Sequence, residues 1–222
     1  MIRGMEPVLC GLVSGAALCL SLLCAGERLR GGQLPRAARW ACAAGTALVM
    51  FVPFHGLPLW NWVFSFCPNP SLPMVGAVGA ALWQHLGGVR VLQPGEWRTL
   101  WGFGAGAGTL LYLHPLLPGS VDPYYWGWHH EASIGLMAGL ALLAFATGSR
   151  TGFLFLAALI AYELRALESP NGWDYLVDPI YWMLSLGAGA VHCLRGVRIW
   201  WQSPRGSRPP FAATVLGRVA RE

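Results

Sequence analysis

Long apolar runs, separated by short polar connections rich in Pro, Gly and Arg, dominate this chain. Seven such runs stand out, over about 5–25, 38–55, 72–88, 98–117, 131–148, 151–167 and 179–197. The apolar residues come in long runs rather than scattered, which points to a membrane protein and not a soluble core. A bilayer core of about 30 Å needs roughly 20 apolar residues in helical form, so each run predicts a membrane-spanning helix. The runs at 38–55 and 151–167 are the shortest. The predicted fold class is therefore all-α: a polytopic bundle of about seven transmembrane helices. It forms a single domain over 1–202, followed by a basic tail at 203–222.

The connections alternate in charge. Arg28, Arg30, Arg36 and Arg39 fill the first connection, and Arg90 and Arg98 the third. Arg150 marks the turn between runs five and six. Arg195, Arg198, Arg205, Arg208, Arg218 and Arg221 close or follow run seven. The opposite side collects Glu6, Asp122, Glu131, Glu163, Glu168, Asp174 and Asp178, with Arg3 and Arg165. Arginine retention on the inner side places the N-terminus outside and the C-terminus in the cytoplasm. The alternation favours seven spans over six. LSLLCAG at 20–26 loosely resembles a cleavage region, but cleavage would put the arginine-rich 28–39 connection outside. The first helix is therefore expected to be retained.

An internal repeat is visible in the outer connections. Trp173–Pro179 leads into Leu186-Gly-Ala-Gly-Ala, and Trp62–Pro68 leads into Val75-Gly-Ala-Val-Gly at the same spacing. Val121-Asp-Pro-Tyr-Tyr-Trp126 leads into Gly135-Leu-Met-Ala-Gly139. Runs two-three, four-five and six-seven could thus be three parallel two-helix units added to run one. A shared need for Pro at a helix start would leave the same trace.

Composition sharpens the picture. Of 222 residues 55% are hydrophobic and 11% charged, against about 25% charged in a typical soluble domain. The net charge of +5 follows from arginines at helix ends and in the tail, which argues for topology rather than nucleic acid. Lysine is absent, which excludes Schiff-base chemistry on lysine. Its absence also points to a GC-rich bacterial genome. Cys10, Cys19, Cys24, Cys42, Cys67 and Cys193 form no CxxC pair; five lie in or beside apolar runs, and only Cys67 falls in an outer loop. No disulfide framework is expected. The glycines Gly11 and Gly15, Gly135 and Gly139, and Gly102, Gly104, Gly106 and Gly108 give smooth faces for helix contact, within the chain or with other membrane subunits. WGFGAGAG lacks the lysine of a phosphate loop.

The chemistry candidates gather on the outer side, above all in VDPYYWGWHHE at 121–131. His114, Asp122, Glu131, Asp174 and Asp178, with His129 and His130, are candidate acid–base groups. His55, His114, His129 and His130 are candidate ligands for zinc or copper. Adjacent histidines on one helix diverge by about 100°, which weighs against a shared ion. Asp122 and Asp178, each before a proline, read equally as helix caps. His85 and His192 near the inner ends could pair on a heme or be ordinary interfacial residues. Glu163, near the outer end of run six, could carry a proton or snorkel to the surface.

Tryptophans 40, 97, 101, 200 and 201 mark an inner belt, and 60, 62, 126, 128, 173 and 182 an outer one. Outer aromatics beside carboxylates could also seat a sugar or a lipid headgroup. No GxSxG elbow, HExxH helix or Ser-His-Asp order occurs.

These features lead to an expected protein of the bacterial inner membrane. Its first functional reading is a non-catalytic transporter-like component or membrane subunit of a larger complex, in contact with lipid. The alternatives are an outer-face enzyme acting on a lipid headgroup or acyl group, and a scaffold that gathers partner helices.

Overall fold

The computed structural model describes residues 5–65, 69–116 and 122–202. Arg3, Cys67, Val121 and the 203–222 tail lie outside the described residues. The chain is mostly helical. Its long helices are α1 (Met5–Arg30), α2 (Arg36–Val49), α4 (Leu72–Gly87), α5 (Pro94–Leu113), α6 (His130–Ala146), α7 (Thr151–Glu163) and α9 (Pro179–Gln202). Two short helices, α3 (Leu59–Phe64) and α8 (Gly172–Leu176), lie in connections. The long helices correspond one for one to the seven apolar runs.

Each boundary has a local cause. Gly31 and Gly88 take left-handed φ of 71° and 73° just past α1 and α4, where an L side chain would be strained. Gln93 and Glu96 form a capping box at the start of α5, with the Gln93 N–H donating to Glu96 Oε2 at 2.6 Å. Glu96 is buried, and its other oxygen accepts from the Arg150 backbone N–H. The Arg150 guanidinium donates to the Val91 carbonyl at 2.7 Å. The α6–α7 turn is thereby bolted to the start of α5.

Run two ends earlier than its hydropathy suggests. α2 stops at Val49, and the chain makes a two-stranded hairpin, Pro53–Phe54 against Leu57–Pro58. The turn residues His55 and Gly56 have φ of 49° and 83°. Positive φ at both central positions is what a two-residue hairpin turn requires. α2 has 14 residues and α7 has 13, which span about 20 Å at 1.5 Å per residue. Among the described residues, one helix segment, Val8–Arg30, is both long and apolar enough to cross a bilayer; His130–Ala146 and Thr151–Glu163 are apolar but shorter.

α5 packs along α9, α6 along α7, and α1 against α2, α3 and α4. The helices that begin after the three matching prolines do so at different offsets. α9 starts at Pro179 itself, α4 at Leu72, four residues past Pro68, and α6 at His130, seven past Pro123. The largest core cluster joins α5 to α9 through Leu111, Met137, Phe155, Tyr162, Tyr175 and Tyr181.

Glycines set the α5–α9 distance. A Cβ on Gly104 would lie 2.3 Å from Ser185 Oγ, and one on Gly108 would lie 2.5 Å from Trp182 Cδ1. The alternate glycines Gly102 and Gly106 face open space. The close approach lets the Tyr181 hydroxyl donate to the Leu100 carbonyl at 2.6 Å and Trp182 Nε1 to Thr109 Oγ1 at 3.1 Å. Trp173 and Trp182, counted above with the outer aromatic belt, are a buried and a half-buried packing residue respectively.

A test follows on one helix. Gly104→Ala is expected to destabilise by about 1–3 kcal/mol through overpacking. Gly102→Ala should leave stability unchanged or raise it by up to about 1 kcal/mol through helix propensity. Thermal unfolding of the two variants checks the contrast.

Candidate functional site

The start of α4, the start of α6, the end of α7 and the start of α9 lie at one end of the bundle, with most of the polar residues singled out from the sequence. Two connections cover them: 122–129, with a 3₁₀ turn at Tyr124–Trp128, and 164–178, which contains α8. They are stitched together residue by residue. Asn171, fully buried, accepts from the Trp173 N–H at 2.9 Å and so caps α8. Its amide donates across to the Tyr124 carbonyl at 3.2 Å. Trp173 Nε1 donates to the Pro123 carbonyl at 2.9 Å, and the Ser133 hydroxyl to the Gly127 carbonyl at 2.9 Å. The fit is tight, since a Cβ on Gly127 would stand 1.9 Å from Asn171 Oδ1.

Asp178 is the most enclosed carboxylate. It is 3% exposed, and Oδ1 accepts from the Tyr181 N–H at 2.8 Å, capping α9. Oδ2 accepts from both the N–H and the hydroxyl of Ser71, at 2.8 and 2.6 Å. Ser71 precedes α4, so one carboxylate fixes the starts of two helices. It is the cap that the Asp-Pro pattern suggested, with an added clasp.

Asp174 stands in α8 and accepts from the Tyr124 hydroxyl at 3.0 Å and from the Ser169 hydroxyl. Burial pushes its carboxyl above the ordinary range, against the opposing effect of those two hydrogen bonds. The Tyr124 phenol is also raised, first by burial and then by the neighbouring Asp174 charge.

The remaining candidates scatter. Asp122 is exposed; its Oδ1 accepts from the Tyr124 N–H at 2.9 Å and lies 3.8 Å from His114 Nδ1. His129 is exposed beside the Tyr125 ring, with centroids 5.0 Å apart. His130 turns to Glu163, at 3.5 Å, and to the Tyr162 ring. Glu131 is exposed in the first turn of α6, where a carboxylate suits the helix dipole. His55 sits on the hairpin turn against Phe54 and Trp62, not at the end of a helix. Among the described residues no group of three or more His, Cys, Asp or Glu stands close enough to hold a metal ion. The four-histidine set for zinc or copper is therefore not brought together: His129 precedes α6 in an extended conformation while His130 opens the helix, and the hairpin carries His55 to separate partners. His85 lies 3.8 Å from Glu27, whereas His192 faces a cavity beside Gln84 and Arg90.

Ser71, Asn171, Gly127 and Glu96 were not singled out from the sequence. Glu96 had a readable signal in the Gln-Pro-Gly-Glu capping box. Asn171-Gly172 and Ser71-Leu-Pro73 are ordinary helix starts whose long-range bonds leave no local mark.

No family model matches the chain, and no curated protein or solved structure gives a match.

Two tests address this end of the molecule. Asp178→Ala strands the Ser71 and Tyr181 N–H groups and is expected to cost about 2–5 kcal/mol. His129→Ala should stay within about 0.5 kcal/mol. Denaturation in detergent separates the two.

The Asp174 shift gives a pH test. A raised native pKa means the folded state holds the proton more tightly than the unfolded chain. Stability from this group therefore rises as pH falls from above the native value toward the ordinary carboxylate value of about 3.9. Asp174→Asn removes that dependence. The wild type should accordingly gain on the variant in melting temperature as pH is lowered through that window, and a constant difference would contradict the burial effect.

Proposed function

We infer that the chain is a non-catalytic membrane subunit of seven spans, with N-terminus outside and C-terminus cytoplasmic, in the inner membrane of a bacterial cell. The observation that carries this reading is the apolar exterior of the helices. Leu12 on α1, Leu48 on α2, Leu142 and Leu143 on α6, Phe153 on α7 and Leu194 on α9 are each exposed by 64–70%. Apolar surface on this scale is costly in water and matches hydrocarbon. Arginines at one set of ends and carboxylates at the other support the orientation.

The polar groups at the outer face support a non-catalytic role. Asp178, Asp174 and Asn171 are committed to backbone and hydroxyl partners that hold the loops, and the histidines stand apart. The centres of the helices are nearly free of charged residues, which weighs against ion-coupled transport and its need for a polar path at mid-depth. A transporter-like reading keeps one observation in its favour. An apolar cavity of about 300 Å³ lies between α1, α2, α3 and α4, lined by Gly11, Gly15, Ala43, Met50, Trp60 and Leu82 among others, and has the character of an acyl-chain seat. Open glycines on α6 and α9, Gly135, Gly139, Gly187 and Gly189, leave smooth faces for another membrane subunit.

Reporter fusions in the successive connections test the topology. Export-dependent activity is expected after residues 127 and 170, and cytoplasmic fluorescence after 32, 93, 149 and 202. Recovery of the protein in the soluble fraction would overturn the membrane reading. Elemental analysis of detergent-purified protein tests the catalytic alternative: substoichiometric zinc and copper are expected. Near-stoichiometric metal that is lost in a His129→Ala/His130→Ala variant would replace this reading with a metal-dependent enzyme.

A further inference from the structure

At the end of the molecule opposite the Asp174–Asp178 cluster lies a second cavity, of about 350 Å³, with a different chemistry. Four parts of the chain converge on it. The last turns of α4 bring Gln84, and Gly88, at φ 73°, turns the chain into the link that carries Arg90. Leu92, 4% exposed, pins that link to a small core with Leu100. The first turns of α5 bring Trp97 and Arg98, and α9 brings His192.

The walls therefore hold two guanidinium groups, an imidazole and a side-chain amide, and no carboxylate. Glu96, two residues before Arg98, and Glu27 are engaged elsewhere. Glu96 accepts from the Gln93 and Arg150 backbone N–H groups, and Glu27 lies beside His85. Among the described residues neither Arg90 nor Arg98 forms an ion pair. Arg98 Nε is tethered only by a long bond of 3.4 Å to the Pro94 carbonyl, which sets the direction of the guanidinium without neutralising it. Trp97 stacks on Trp101 with centroids 5.7 Å apart, giving the cavity one rigid apolar wall.

We propose that this cavity is an anion site for a phosphate mono- or diester, gripped by Arg90 and Arg98, with Gln84 and His192 donating hydrogen bonds and Trp97 packing against the organic part. Two planar forks approaching from different elements suit a tetrahedral oxyanion, which offers oxygens in several directions. The volume exceeds what a bare phosphate needs and leaves room for a glycerol-sized substituent. Two sources share that chemistry: the headgroup of an inner-leaflet lipid and a free phosphate compound. The site itself does not depend on the chain crossing a membrane, so failure of the topology test leaves it standing.

The test uses the full chain purified in an uncharged detergent, titrated calorimetrically with inorganic phosphate and, separately, with dioctanoyl phosphatidic acid. Saturable binding of at least one probe is expected, weakened at least tenfold in Arg90→Gln/Arg98→Gln and several-fold in Arg90→Gln alone. Arg90 is exposed, so the single variant retains the fold and serves as the check if the double variant is unstable. Tighter binding of the lipid, with phosphate competing, assigns the site to a headgroup; binding of phosphate alone assigns it to a free phosphate compound. No saturable binding of either probe, or binding that both arginine variants preserve at wild-type strength, overturns the proposal.

Discussion

A carboxylate with no access to water has to find its donors inside the protein, and Asp178 finds three. Two come from Ser71 and one from Tyr181, so the same side chain fixes the first turns of α4 and α9. Much else follows from that placement. α9 enters the bundle with Tyr181, Trp182 and Ser185 directed at α5, and the glycines of α5 are the surface on which they close. Residue 177, next to Asp178, offers its carbonyl to the Tyr112 hydroxyl at 3.3 Å. The hydrogen bonds of Asn171 and Trp173 then fasten the 122–129 connection onto the segment that Asp178 anchors. Removing any one of these bonds in a desolvated setting leaves a polar group without a partner, which is why the cap is tight and leaves little space around its buried carboxylates.

Much of the helix plan was legible because apolar run length and capping chemistry are local. All seven runs appear as helices, and the Asp-Pro start of α9 caps as the pattern suggests. What the local pattern missed has a common physical cause. The chain leaves the helix after Val49 and then turns at His55-Gly56 with two consecutive positive φ values, although apolar residues continue to Val52. Trp173 and Trp182 share their composition with interfacial anchors, and only the packing of α8 and α9 buries them. The alternation in GFGAGAG was legible as packing, but its register, in which Gly104 and Gly108 face α9 while Gly102 and Gly106 face outward, depends on the partner helix. The histidine cluster looked coherent as a count on one side. In space each ring takes a different neighbour, because a helix start, a 3₁₀ segment and a hairpin point them apart.

The two ends of the bundle treat charge in opposite ways. At the end that carries α8, Asp178 and Asp174 are matched by N–H and hydroxyl donors, and the exposed Asp122 and Glu163 lie 3.8 and 3.5 Å from His114 and His130. At the opposite end Glu96 is likewise matched, to backbone N–H groups, and the Arg150 guanidinium donates to the Val91 carbonyl. Arg90 and Arg98 lack a carboxylate partner among the described residues. Arg39 donates through Nη1 to the His85 carbonyl, while its buried Nε has no hydrogen-bond partner among those residues.

That asymmetry bears on where a binding event would matter. A buried network whose members already satisfy one another gains little from a ligand, since each new bond replaces an existing one. Guanidinium groups without a carboxylate partner can meet an oxyanion through charge-assisted hydrogen bonds that replace no ion pair within the described residues. The free energy available to a ligand is therefore larger at the Arg90–Arg98 end than in the knitted outer cap. The same accounting separates the groups that hold the molecule together from those without a fixed partner: Asp178 and Asp174 hold helices and loops in place, and Arg90 and Arg98 have no carboxylate partner among the described residues.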